Sequence, residues 1–146
     1  ARSGQHPLHI LLAEDNAVNQ KLAVRLLEKW GHTVIVANTG KAVLEALEHD
    51  TFDLVLMDVQ MPEMDGLEAT AAIRAKERLT RTHLPIVAMT AGAMTEDKER
   101  CRAAGMDDYV SKPLKTEALM AILERVAIGG THRHESVLLS LVEVQS

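Results

Sequence analysis

Short apolar runs, each too brief for a helix, alternate along this chain with longer amphipathic stretches, and no other feature restricts the fold as much. His9–Ala13 (HILLA) follows Pro7 and reads as a strand buried on both faces. Asn16 is a suitable cap for a helix reaching Trp30, with Val18, Leu22, Leu26 and Trp30 expected on one face and Gly31 as the stop. Thr33–Ala37 is β-branched and strand-like, 39–48 reads as a helix around Val43, Leu44 and Leu47, and 52–57 (FDLVLM) as a second buried strand. The alternation continues with a helix at 66–76, a strand at 86–89, a helix at 96–104, a strand at Asp108–Ser111 and a helix at 116–126. Only the charged, threonine-rich segment 75–84 reads as a longer connection. Five strand and helix pairs call for a doubly wound α/β fold: a five-stranded parallel sheet, helices on both faces and right-handed crossovers.

With 146 residues, 47% of them hydrophobic, the chain can bury one core without metal or disulfide staples. The expected organisation is a leader or cloning remnant at 1–7, one domain at 8–127, and a linker or C-terminal extension at 128–146. Gly129 and Gly130 break the last helix, and the tail then runs into the apolar stretch VLLSLVEV at 137–144. His132 and His134 lie two apart with no further ligand beside them and read as linker. A net charge of −5 argues against indiscriminate nucleic-acid binding and favours protein partners. The single cysteine, Cys101, suits a reducing compartment and is expected as a half-exposed thiol on a helix. No apolar run approaches the roughly 20 residues needed to span a bilayer, so a cytoplasmic location is expected.

The residues closing these runs differ in chemistry. Glu14 and Asp15 follow the first strand, Asp58 the third, Thr90 the fourth and Lys112 the fifth. In open parallel sheets ligands bind at the carboxyl ends of strands where the strand order reverses, and in a sheet ordered 2-1-3-4-5 that point lies between the first and third strands. Two unit charges about 4 Å apart cost about 4 kcal/mol at an effective dielectric of about 20, so three carboxylates gathered there require a cation. Mg²⁺ answers with oxygen ligands and retained waters, and Lys112 adds a fixed positive charge. The Thr90 hydroxyl and Lys112 ammonium are groups that hold a phosphoryl oxygen, and Asp58 is placed to act as a nucleophile forming an aspartyl phosphate.

Four motifs in order, LAEDN at 12–16, LMDVQMPEMDG at 56–66, AMTA at 88–91 and SKPL at 111–114, together resemble the receiver domain of two-component response regulators, over about residues 8–126. The resemblance implies a flavodoxin-like sheet of order 2-1-3-4-5 with Asp58 as phosphoacceptor. Mg²⁺, or Mn²⁺ in its place, would be ligated by Asp15 and Asp58, by Glu14 through a water and by the backbone carbonyl of Gln60. Lys112 would pair with a phosphoryl oxygen, and its bond to Pro113 would be cis. Thr90 would move to the phosphoryl group and Tyr109 would rotate inward behind it. Pro62 and Gly66 would shape the loop beside the acceptor. Gln60 and Gly92 occupy the positions that tune hydrolytic water, and because Gly92 lacks a side chain, Gln60 is expected to dominate the phosphate lifetime. The implied partners are a histidine kinase or histidine phosphotransfer domain, with a homodimer as a further association. The run DNAVNQ resembles receivers of hybrid kinases, which makes this chain a fragment of a larger polypeptide, the cytoplasmic part of a membrane-bound kinase included.

Rival readings are weaker. A haloacid dehalogenase-type phosphatase requires a second acid two residues after the nucleophile, where this chain has Gln60, so self-phosphorylation and slow hydrolysis are the only catalysis expected. A flavodoxin-like carrier needs a hydroxyl- and glycine-rich loop after the first strand, where this chain is acidic. The alternative from another class is a phosphate-independent interaction module. Asp65 reads as a helix cap, Asp107 and Asp108 as ordinary turn acids, Trp30 and Phe52 as packing residues, and Tyr109 as both core and switch.

Overall fold

The computed structural model describes residues 7–61, 63–91 and 95–126; residues 1–6, 62, 92–94 and 127–146 lie outside them, and with them Pro62, Gly92, most of the expected 1–7 leader and all of the expected 128–146 extension. Five strands, β1 (His9–Ala13), β2 (Thr33–Ala37), β3 (Leu54–Asp58), β4 (Ile86–Thr90) and β5 (Asp108–Ser111), form one sheet in the order β2-β1-β3-β4-β5. All four pairings are parallel. Helices α1 (Ala17–Lys29), α2 (Gly40–His49), α3 (Gly66–Thr80), α4 (Thr95–Ala104) and α5 (116–126) connect or follow them.

Alternating side chains of the central strands build two cores. Ile10, Leu12, Leu54, Leu56, Val87 and Met89 pack with Ala23 and Leu27 of α1 and with Leu119, Ile122 and Leu123 of α5. Leu11, Ala13, Val55, Met57, Ile86 and Ala88 face the other way, toward Val43 of α2, Ala69 and Ile73 of α3 and Cys101 of α4. Full burial of one such side chain is worth about 2 kcal/mol, so β1, β3 and β4 anchor the domain. β2 and β5 are the edges, and Ile35 and Val36 remain partly exposed on β2.

The helix starts follow local chemistry. The Asn16 and Thr39 side chains accept from the N–H of Asn19 and Ala42, and Asp65 forms a capping box with Glu68. Gly66 is required because a Cβ there would collide with the carbonyl oxygen of Asp58, while its N–H donates to the Val59 carbonyl at 2.8 Å.

Four expectations are corrected. α1 buries Ala23 and Leu27, not a Val18–Leu22 face, because the small Ala23 lets the helix lie close to the sheet; Val18 and Leu22 are 74% and 45% exposed. α3 continues to Thr80 through the segment expected as a connection, since Ala75, Lys76, Glu77 and Arg78 are good helix formers and Arg74 and Glu77 pair across one turn at 2.6 Å. β3 starts at Leu54, and Phe52 instead stacks on the His9 ring at 4.5 Å. Cys101 is buried, because its face of α4 packs against the sheet.

Candidate functional site

The parallel register ends β1, β3, β4 and β5 at one edge, and the residues that close them meet there. Asp58 is the last residue of β3 and Thr90 the last of β4, both buried. Glu14 and Asp15 follow β1, Glu14 buried beneath the surface and Asp15 exposed above it. One carboxylate oxygen from each of Glu14, Asp15 and Asp58 lies within 4.8 Å of the others. Lys112, directly after β5, reaches back so that Nζ lies 2.9 Å from Asp58 Oδ2 and 3.6 Å from Glu14 Oε1. Its N–H donates to the Thr90 carbonyl at 2.7 Å, and the peptide bond to Pro113 is cis.

Two of the carboxylates, Asp58 and Glu14, are aimed by backbone. The N–H of Gln60 donates to Asp58 Oδ1 at 3.1 Å, leaving Oδ2 to the ammonium. The N–H of Asn16 donates to Glu14 Oε2 at 3.1 Å, with Asn19 Nδ2 at 3.5 Å from the same atom. Gln20 donates from Nε2 to the Glu14 carbonyl and to Asn38, fixing the loops after β1 and β2 together. The cleft above is lined by Glu14, Asp15, Asn16, Asp58, Gln60 and Lys112.

Burial, the largest influence, raises the Glu14 pKa; the N–H of Asn16 opposes it and the charge of Asp58 reinforces it. Burial alone would lower the Lys112 pKa, but its hydrogen bond to Asp58 and the charges of Asp58 and Glu14 outweigh that and raise it. The ammonium is therefore a permanent charge. Three carboxylates against one ammonium leave the pocket net negative, and a hard oxygen donor set around one cleft has the chemistry of a Mg²⁺ site.

Tyr109 lies half-buried on β5, packed against the second core with Lys98 Nζ 4.7 Å from its ring centroid. Asp65 caps α3 and stands outside the carboxylate cluster. Asp107 is more than a turn acid. Its Oδ2 accepts from Arg74 Nη2 and from the N–H of Ile86, both at 2.8 Å, and its Oδ1 lies 2.7 Å from His83 Nε2. Nothing local in the sequence announces this, since Arg74 lies 33 residues away.

This strand order, with an acidic cleft at the reversal and a lysine directly after the last strand, defines a doubly wound α/β domain with a cation-ready site at the carboxyl edge of its sheet. The response regulator receiver domain model matches residues 10–124, and the chain belongs to that family. Among its relatives, hybrid signal transduction histidine kinase I of Dictyostelium discoideum is 43% identical over 122 residues, covering 80% of this chain and 7% of the relative. Sensor protein GacS of Pseudomonas syringae pv. syringae is 45% identical over 115 residues, covering 78% of this chain and 13% of that protein. The chain thus spans only a small part of the hybrid kinases it matches. In structure it is similar to the receiver domain of sensor histidine kinase PA1611 from Pseudomonas aeruginosa PAO1, which has a magnesium ion coordinated in its active site cleft (TM-score 0.75, 40% identity, 84% and 98% of the two chains). It is also similar to the Ssk1 receiver domain of Saccharomyces cerevisiae, solved with the histidine phosphotransfer protein Ypd1 (TM-score 0.81, 26% identity, 86% and 92% covered). Among the described residues no helix is long and apolar enough to cross a membrane.

Proposed function

We propose that this domain accepts a phosphoryl group from a phosphohistidine onto Asp58 in a Mg²⁺-dependent reaction and thereby switches a protein-interaction surface. The observation that carries the reading is the fixed carboxylate of Asp58, one oxygen held by the Gln60 N–H and the other 2.9 Å from Lys112, within 4.8 Å of two further acids. Asp15, Asp58 and the Gln60 carbonyl would hold Mg²⁺ directly and Glu14 through a water, with Mn²⁺ able to substitute. The ion supplies the positive charge that lets an anionic phosphoryl group approach an anionic nucleophile.

This chain's residues do the rest. A carboxylate oxygen of Asp58 forms the new bond to phosphorus as the donor's nitrogen–phosphorus bond breaks, and the donor histidine leaves with its electron pair and takes up a proton. Lys112, now bonded to Asp58 Oδ2, transfers that interaction to a phosphoryl oxygen. Thr90, at the end of β4, donates its hydroxyl to another, and Tyr109 follows into the space behind it. The added charge of about −1.5 to −2 stabilises this arrangement over the resting one, a shift between states both populated before phosphorylation. The donor is a histidine kinase or histidine phosphotransfer domain, by analogy with the partner of the Ssk1 receiver.

Intact-mass spectrometry after incubation with acetyl phosphate tests the reading. A gain of one phosphoryl group that needs both Mg²⁺ and Asp58, and is lost in Asp58→Asn, is the expected outcome. No gain in folded protein would replace it with a phosphate-independent interaction module. The surface that switches is the one formed by α4, β5 and α5, and Lys112→Ala should be phosphorylated without a change there; a normal conformational response in that variant would refute the assigned coupling.

A further inference from the structure

β2 closes one side of the sheet with an open, apolar edge. Ile35 and Val36 are 45% and 38% exposed, and Thr33–Ala37 holds no charged residue and no proline. Its register with β1 runs through all five residues without a bulge. Charges, prolines and bulges keep edge strands from pairing with another chain, and this strand has none of the three. The Thr33 N–H donates to the Leu8 carbonyl and the Ala37 carbonyl accepts from the Glu14 N–H, both at 3.0 Å, so the odd-numbered residues turn their backbone polar groups toward β1. Val34 and Val36 therefore turn theirs outward.

We propose that β2 pairs antiparallel with β2 of a second copy of this chain, about a two-fold axis at Ile35. That register sets Val34 opposite Val36 of the partner subunit, and Val36 opposite the partner's Val34. Each pair can exchange two N–H···O bonds, because the polar groups of these residues point outward. Val34 packs with the core on the α1 face and Ala37 with the core on the α2 face, so by alternation Ile35 lies on the α2 face and meets its own copy there.

The flanking helix selects a second copy over any other extended partner. In α1, Asn19 and Leu22 stand beside Lys112 and Leu114, on the β5 side, while Gln20 reaches Asn38 after β2. The stripe Lys21, Val24 and Glu28 therefore runs along the β2 flank, with the two charged residues exposed on either side of Val24. The two-fold axis reverses the helix and brings Lys21 toward Glu28 of the partner subunit, twice. The same axis turns the partner's cleft to the opposite end of the joined sheet, so both carboxylate clefts stay open and α4, β5 and α5 stay free.

Sedimentation equilibrium and amide hydrogen exchange on the full chain, from micromolar to millimolar concentration, test this. A monomer–dimer equilibrium is expected, with the Val34 and Val36 amides gaining protection as the dimer forms. Ile35→Lys sets two like charges side by side at the axis and should abolish the dimer while the monomer stays folded. Lys21→Glu turns two attractions into two repulsions and should weaken the dimer about tenfold, and Lys21→Glu/Glu28→Lys should restore it. A chain that stays monomeric over this range would overturn the proposal, as would a dimer that leaves the Val34 and Val36 amides unprotected or one that Ile35→Lys forms as tightly as the parent. A charge swap that fails to recover what Lys21→Glu lost would overturn the two-fold arrangement.

Discussion

The two ends of the sheet treat charge in opposite ways. At the carboxyl end, Glu14, Asp15 and Asp58 crowd one cleft with Lys112 as the cation among them. At the amino end the charges are matched. Arg74, its side chain only 12% exposed, donates to Glu77 and Asp107 and to the carbonyls of Leu84 and Gly105. Glu77 in turn accepts from the N–H of Leu84, and His9 bridges Thr33 and Asp50. The amino end is built to stay fixed, whereas the carboxyl end keeps a net negative charge of the kind that a bound cation relieves.

Breaking the balanced end should produce the largest effect. Arg74→Ala leaves the shielded Glu77 carboxylate, and the more exposed Asp107, without their cation and is expected to cost about 3 kcal/mol of stability, read from urea denaturation. Acetyl phosphate labelling of the folded fraction should persist. A loss below 1 kcal/mol would mean that this end is not the anchor.

Relieving the imbalanced end should do the reverse. Mg²⁺ at ten times its Kd is expected to stabilise the domain by about 1.4 kcal/mol. Asp15→Asn should raise the melting temperature in chelator, because it removes one of three mutually repelling charges, and should abolish the Mg²⁺-dependent rise. A variant less stable than the parent without metal would contradict this account of the cleft.

A smaller effect separates the ends by pH. His32 is buried at the amino end, and its Nδ1 accepts from the N–H of Leu8 at 2.9 Å, which requires the neutral ring. Burial lowers its pKa. As pH falls past the ordinary imidazole value of about 6.5, the unfolded chain binds the proton first, so stability declines and levels off below the depressed folded value. Asp50 acts in a separate, more acidic window: its pKa is lowered chiefly by the His9 hydrogen bond, so its contribution is lost only as pH falls through that lowered value. Denaturation midpoints between pH 7.5 and 5 should show the first slope, flattened in His32→Asn. An unchanged slope in that variant would assign the dependence elsewhere.

The smallest expected change touches neither balance. Gln60 is exposed at the cleft and positions Asp58 through its backbone, so Gln60→Ala should leave stability within about 0.5 kcal/mol while altering the dephosphorylation rate. An unchanged rate would remove Gln60 from control of phosphate lifetime.

The candidate site was legible in the sequence because its residues end the strands or directly follow them. Once β1, β3, β4 and β5 are recognised as parallel, Glu14, Asp15, Asp58, Thr90 and Lys112 must reach one edge, whatever the details of packing. The amino end was not legible: Arg74, His83 and Asp107 come from a helix and two loops, and none falls within a periodic pattern. The misassigned face of α1 has a similar cause. Periodicity fixes which residues share a stripe, but the neighbouring elements decide which stripe is buried, and Ala23 at the closest approach outweighed Val18 and Leu22.

By itself, then, the sequence determined the parallel α/β class, the helix caps at Asn16 and Asp65, and the set of residues at the cleft, because these depend on local chemistry and strand periodicity. Only the tertiary structure decided the aim of Asp58 between the Gln60 N–H and the Lys112 ammonium, the Arg74 pin at the far end and the exposure of Val18 and Leu22. Those depend on contacts between residues far apart in sequence, which no local pattern encodes.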